Sequence, residues 1–328
     1  MNRRQVSGPR SLWSLLLRGA VLAAALAWAA PAGATTLTLT DNGSSVDVVV
    51  DEAVDGIINW VVDDVDQLAF EWFYIGIGGA AEQPLESLGF VASAIGDTNG
   101  AFGDAANDTL FARYGGVQAG VRVDVMLSLR GGALGSGTSD LHETVSIKNL
   151  TDAALSISFF EYTDFDLDGD AANDTAQIIN THTVRQSDVK VGPNASSTFA
   201  EVVMLPDFAH GEVGLSSDSP SILDRLTDGS ATSLGDVFGP VGPGDAVWAV
   251  QWNVVLAPGR TWILGKDKQI RTFRQFTNVP EPGSLALLGP ALLGLGLARR
   301  LGGRKQAGRS PAGEAQASRG GSDPCPLS

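Results

Sequence analysis

The sequence predicts an all-β protein, one large antiparallel β-sandwich of ten or more strands, and three observations predict it. Period-two alternation of apolar and polar residues recurs through the middle of the chain. Helical periodicity is weak and confined to Ser221 to Leu226. No linker-like stretch divides residues 35–276, so about 240 residues are available to bury one core.

The elements follow in order. Val46 to Val50 and Leu68 to Ile77 are strand candidates. In Gly120 to Arg130, Val121, Val123, Val125, Leu127 and Leu129 fall on one face, and Arg122, Asp124, Met126, Ser128 and Arg130 on the other. Val145 and Ile147 alternate with polar neighbours, as do Leu155, Ile157 and Phe159. Ile178 to Val184 and Thr198 to Met204 are further candidates, and Gly239 to Gly244 reads as a loop. Trp248, Val250, Trp252, Val254 and Leu256 alternate along a last long strand. Pro258-Gly259 then suits the centre of a type II turn leading into Thr261 to Leu264, which makes a hairpin. One apolar face per strand is how paired antiparallel sheets read, and it assigns Trp248 and Trp252 to the core.

The ends read differently. Arg3, Arg4 and Arg10 precede an apolar run, Leu12 to Ala30, and Ala32-Gly33-Ala34 fits the small-residue cleavage rule. Residues 1–34 therefore read as a secretory signal peptide, passed through the translocon and cut by signal peptidase after Ala34. Residues 36–276 carry 12 basic and 34 acidic residues, a net charge of −22. Such a domain repels nucleic acid and anionic lipid and attracts cations. The single cysteine, Cys325, lies in the tail, so the domain has no disulfide and no thiol chemistry.

Residues 277–300 combine three parts. Val279-Pro280-Glu281-Pro282-Gly283 is held extended by its two prolines. Leu285 to Ala298 is an apolar run of 14 residues, about 21 Å as a helix and short for a membrane span. Arg299-Arg300 closes it on the cytoplasmic side. Together these parts resemble the PEP-CTERM sorting signal of exported bacterial proteins. The resemblance implies recognition of Pro280, Glu281 and Pro282 by an exosortase, with transient retention in the inner membrane through a short transmembrane helix. Release or attachment at the cell surface would follow, with an association with exopolysaccharide or biofilm. Residues 301–328, rich in Gly, Ser, Ala and Pro, have little to bury and read as a disordered tail.

Within the domain, Gly-Asp-Ala-Ala-Asn-Asp-Thr occurs twice, at Gly103 to Thr109 and Gly169 to Thr175. Asp164, Asp166 and Asp168, with Asp170 and Asp174 after them, space their carboxylates like the first half of a calcium loop. Thr175 stands where the closing glutamate belongs, so the expectation is a calcium-binding β-loop or, equally, a set of turn-making aspartates. Glu71, Glu143, Glu161 and Glu201 lie in or beside predicted strands, where a carboxylate pair for glycoside hydrolysis could form, although no spacing singles out two of them. His142, His182 and His210 have no metal-ligand spacing. The resulting expectation is a non-enzymatic exported surface or matrix protein. A carbohydrate-binding module using exposed aromatics and a secreted glycoside hydrolase are the alternatives.

Overall fold

The computed structural model describes residues 35–51, 56–98, 106–191 and 195–274. The chain divides into two units, Met1–Gln275 and Phe276–Ser328, and every described residue belongs to the first. The signal peptide with Ala32 and Ala34, the sorting signal with Pro280, Glu281, Pro282, Arg299 and Arg300, and the tail all lie outside the described residues. Among the described residues no helix is long and apolar enough to cross a membrane.

The strands are β1 (Thr36–Asp41), β2 (Ser44–Val49), β3 (Gly56–Val62), β4 (Val65–Asp66), β5 (Phe70–Ile77), β6 (Gln83–Pro84) and β7 (Phe90–Gly96). They continue with β8 (Thr109–Gly116), β9 (Val121–Gly131), β10 (Thr138–Asn149), β11 (Leu155–Asp164) and β12 (Asp174–Asn180). The last six are β13 (Thr183–Lys190), β14 (Ser196–Leu205), β15 (His210–Leu215), β16 (Val241–Gly244), β17 (Ala246–Leu256) and β18 (Thr261–Arg274). One helix, α1 (Ile222–Thr227), and two 3-10 turns, Leu85–Leu88 and Leu167–Gly169, complete them.

Two nine-stranded sheets form. The first runs β1-β2-β3-β5-β11-β17-β15, with β4 beside β3 and β6 beside β5. The second runs β16-β12-β13-β14-β18-β10-β9-β8-β7. All strand pairs are antiparallel. This is the sandwich-like, nearly all-antiparallel architecture that the alternation implies.

Burial follows the alternation residue by residue in β9 and β10, whereas β5, β11 and β17 bury successive residues on both faces. In β9 the five apolar positions Val121 to Leu129 are buried, and Arg122 to Arg130 face the other way. Between the sheets, Phe73 stacks on Phe159 at 5.5 Å, and Phe159 meets Trp252 and Trp262 at 6.1 Å. Phe165 sits between Trp60 and Trp248. Trp248 and Trp252 are in the core, as the alternation predicts. Each such buried aromatic contributes about 1.5–3 kcal/mol relative to exposure. The Ala257 to Arg260 turn closes by a 3.1 Å hydrogen bond, with Gly259 at φ 69° as a type II turn requires. Gly56 is needed where β3 meets β5, because a Cβ there would lie 2.4 Å from the Glu71 carbonyl oxygen.

Two local expectations are corrected. Ile178 to Val184 is not one strand but a hairpin, since Thr181 and His182 turn the chain between β12 and β13. The Gly239 to Gly244 loop contributes β16, an edge strand that pairs with β12; prolines are tolerated at such an edge.

Candidate functional site

Neighbouring residues of β5 and β11 build two different environments. Glu71 and Phe73 on β5, with Phe159 and Glu161 on β11, point between the sheets. Phe70, Trp72 and Tyr74, with Tyr162 and Asp164, have the opposite parity. The register sets Phe70 opposite Asp164 and Trp72 opposite Tyr162.

Between the sheets lies a cluster of five buried charges. Glu71 and Glu161 come from the first sheet, and Glu143, Lys266 and Lys268 from the second. None is more than 1 % exposed. Lys266 approaches Glu161 at 2.8 Å, pairs with Glu143 and lies 4.2 Å from the Phe73 ring centre. Lys268 contacts Glu143 at 2.8 Å and Glu161 at 2.9 Å, and pairs with Glu71. Burial, then the Glu143 charge, pushes Glu71 up to about 8. Burial also disfavours the Glu143 anion, but Lys266 and Lys268 outweigh it and hold Glu143 down to about 2. With Glu71 protonated, the buried cluster carries one negative charge fewer. Three of the four glutamates proposed for hydrolysis therefore do converge, but inside the core against lysines, with no cleft. Glu201 sits on an outer face paired with Arg185.

The other environment is open. Phe70, Trp72, Tyr74 and Tyr162, with Pro84 and Leu223, line a cleft of about 400 Å³ that also receives Glu86, Asp164, Asp224 and Thr227. Trp72 donates from Nε1 to Glu86 at 2.9 Å, which fixes the indole. Phe70 and Tyr162 rings lie 6.2 Å apart. Helix α1 supplies one wall, and its Ser221–Asp224 capping box anchors it.

The carboxylates of this cleft are driven apart. Asp164 is pushed up to about 8 by burial first, then by Asp245 and Asp166. Carboxylate oxygens of these three aspartates lie within 4.8 Å of one another. Burial raises Glu86 as well. Hydrogen bonds from Ser221 lower Asp224. A proton-bearing acid and an ionised carboxylate thus share one aromatic cleft.

The five aspartates of the expected calcium loop separate. Asp164 and Asp166 come together with Asp245, a residue the sequence pattern does not mark. Asp168 and Asp170 face Lys190 at 3.2 and 3.7 Å, and Asp168 also accepts from Ser196. Asp174 is buried, accepting from the Leu167 amide and from Gln186. Asp168 has φ 60°, which turns the loop away from a continuous extended ligand row. Lys190 supplies the positive charge there. The fit to a calcium ion is limited to Asp164, Asp166 and Asp245, where Oδ1 of Asp164 and of Asp245 is buried without a hydrogen bond. The repeated heptapeptide has a shared role in its described part. Asp108 and Asp174, equivalent in the two copies, are both buried and each accepts from an amide at the start of its loop. The histidines stay apart, each beside its own aspartate: His142 by Asp267, His182 by Asp207 and His210 by Asp236.

No family model and no curated protein matches the chain. Among solved structures, a bacterial glucoamylase complexed with acarbose is similar at 9 % identity and a TM-score of 0.42. That match covers 80 % of this chain and 36 % of the glucoamylase, so the chain spans about a third of its length. A galactose 1-epimerase from Lactobacillus acidophilus is similar at 9 % identity and a TM-score of 0.43, covering 74 % of this chain and 95 % of the epimerase. A putative aldose 1-epimerase from Escherichia coli K12 is similar at 11 % identity and a TM-score of 0.38, covering 74 % of this chain and all of that one. Against these names the expectation of a non-enzymatic surface or matrix protein is not kept.

Proposed function

We propose that the domain is a carbohydrate-processing enzyme whose saccharide lies in the Phe70, Trp72, Tyr74 and Tyr162 cleft and undergoes acid–base chemistry there. One observation carries this reading: Asp164, held protonated near neutral pH, and Asp224, held ionised, line the same aromatic cavity. Aromatic faces bind the C–H faces of sugar rings, and their exposed edges leave the hydroxyls to polar neighbours. Asp164 donates a proton to an oxygen at the anomeric centre, and Asp224 takes one from the attacking or ring hydroxyl. Glu86, held by the Trp72 indole, orients the sugar.

The test is a panel of glycosides and free aldoses, followed by release of reducing sugar and by polarimetry. Turnover that vanishes in Asp164→Asn while saccharide binding persists supports the assignment. Turnover unchanged in that variant overturns it, and binding without turnover across the panel moves the domain to a binding module.

Delivery belongs to the same proposal. The chain enters the secretory route through residues 1–34 and is sorted by an exosortase at Pro280, Glu281 and Pro282, with Arg299 and Arg300 as the stop. The enzyme then works at the cell surface or outside it. Glu281→Ala should leave the full-length form in membranes, and normal processing of that variant would contradict this part.

A further inference from the structure

The outer face of the second sheet holds a separate depression of about 350 Å³, lined by Arg185, Phe199, Glu201, Gln269, Arg271 and Phe273. The strand register builds it. Arg185 lies opposite Glu201 and Glu201 opposite Gln269, while Phe199 lies opposite Arg271. Phe199 and Phe273 meet edge to face at 6.1 Å.

The charges of this depression are only partly used. Arg185 is paired with Glu201, which cancels the one carboxylate of the site. Gln269 donates to Asp140 at 2.6 Å, which holds its amide in place and leaves its oxygen as an acceptor. Arg271 makes no ion pair among the described residues. The surrounding face is mixed, with Asp124, Asp140, Glu201 and Asp267 among its outward residues and Arg113 and Arg122 paired with Asp124, but basic residues are the more numerous. Of the 12 basic residues in residues 36–276, Arg113, Arg122, Arg130, Lys148, Arg185 and Arg271 all occupy its outward positions. In a domain of net charge −22, half the basic residues lie on one sheet face.

We propose that this depression binds a carboxylate-bearing sugar, a uronate unit of an acidic glycan. The Arg271 guanidinium offers a planar fork that matches a carboxylate bidentately. The exposed ring of Phe273 and the half-buried ring of Phe199 carry the C–H face of the sugar, and the Gln269 oxygen accepts from one of its hydroxyls. A neutral sugar would leave Arg271 unused, and a simple inorganic anion would leave the two rings unused. The site is on the opposite sheet from the Asp164 cleft and stands without it.

Calorimetry on the full chain with tetragalacturonate tests the proposal, with maltotetraose as the neutral probe and polyphosphate as the ringless anion. Saturable, Arg271-dependent binding of tetragalacturonate is expected. Arg271→Gln should weaken it roughly tenfold or more, as loss of a charge-assisted pair does. Phe273→Ala should weaken it by about three- to tenfold. Asp164→Asn should leave it unchanged, which separates failure here from failure of the cleft. Equally Arg271-dependent binding of maltotetraose or of polyphosphate, or tetragalacturonate binding indifferent to Arg271→Gln, would overturn the proposal.

Discussion

Lys266 and Glu161 meet at 2.8 Å across the space between the two sheets, with neither side chain exposed. They belong to a buried set of five ionisable groups, so removing one member strands the others. Lys266→Met should therefore cost about 3–5 kcal/mol, whereas replacing all five charges with apolar groups of similar volume should cost far less. Urea unfolding of both variants checks this. A loss below about 1 kcal/mol for Lys266→Met would show that water reaches the cluster.

The same cluster sets a pH dependence. Glu71 is raised from 4.5 to about 8 and Asp174 from 3.8 to about 8, each chiefly by burial. In each case the folded state holds a proton that the unfolded state has lost between those values, so this stability is present at acid pH and falls as pH rises toward 8. Glu143, held at about 2, acts the other way and loses its contribution as pH falls below 4.5. Stability should peak near pH 4–5 and decline up to pH 8, and Glu71→Gln should flatten that decline. Unfolding midpoints across pH measure it; a rising profile from pH 5 to 8 would refute the cause.

The sheets were legible because β9 and β10 bury alternate residues, a period that survives in the letters, whereas β17 and most of β11 are buried on both faces. Strands such as β1 and β7 were not, since short edge strands carry too few buried positions to impose a period. The charge cluster was half legible. Glu71, Glu143 and Glu161 were picked out as carboxylates on strands, but their lysines come from β18, more than 100 residues later, and only the β10–β18 register brings them in. The cleft was less legible still. Asp164 stood out in an aspartate-rich loop, whereas its neighbour Asp245 carries no pattern and its counterpart Asp224 lies in the weakly helical Ser221 to Leu226, where it reads as a capping residue.

Acid catalysis by Asp164 has a measurable signature. The group is pushed up to about 8, so activity should hold below that pH and fall as it is passed. Asp164→Asn should lower kcat by about 10²–10⁴. Asp245→Asn keeps the acid but removes a like charge, so its alkaline limb should move to lower pH. An unmoved limb in Asp245→Asn would remove Asp164 from the acid role.

The calcium expected for the aspartate loop would compete with the proton at the same carboxylates. The cation expected for the aspartate loop has Asp164, Asp166 and Asp245 as converging donors, and it can enter only as Asp164 gives up its proton. Calcium affinity should then rise about tenfold per pH unit up to about pH 8. Asp166→Ala should weaken it, and calcium should inhibit turnover. Titration at two pH values decides; uptake independent of pH, or absent at millimolar calcium, would leave these aspartates to proton transfer alone.

The aromatic floor sets affinity and not the chemical step. Phe70 is partly buried and packs 6.2 Å from Tyr162, so Phe70→Ala removes a contact face without removing a core residue. Loss of one ring should weaken saccharide binding by about 0.5–1.5 kcal/mol, about three- to tenfold in KM. A floor that acts only in uniform binding leaves kcat unchanged. Trp72→Phe should do more, because Nε1 of Trp72 holds Glu86 and its loss frees that carboxyl to turn. Steady-state kinetics separate the two. If Phe70→Ala lowered kcat and left KM alone, the ring would be acting on the transition state, and the saccharide would have to lie closer to Asp164 than a stacking floor requires.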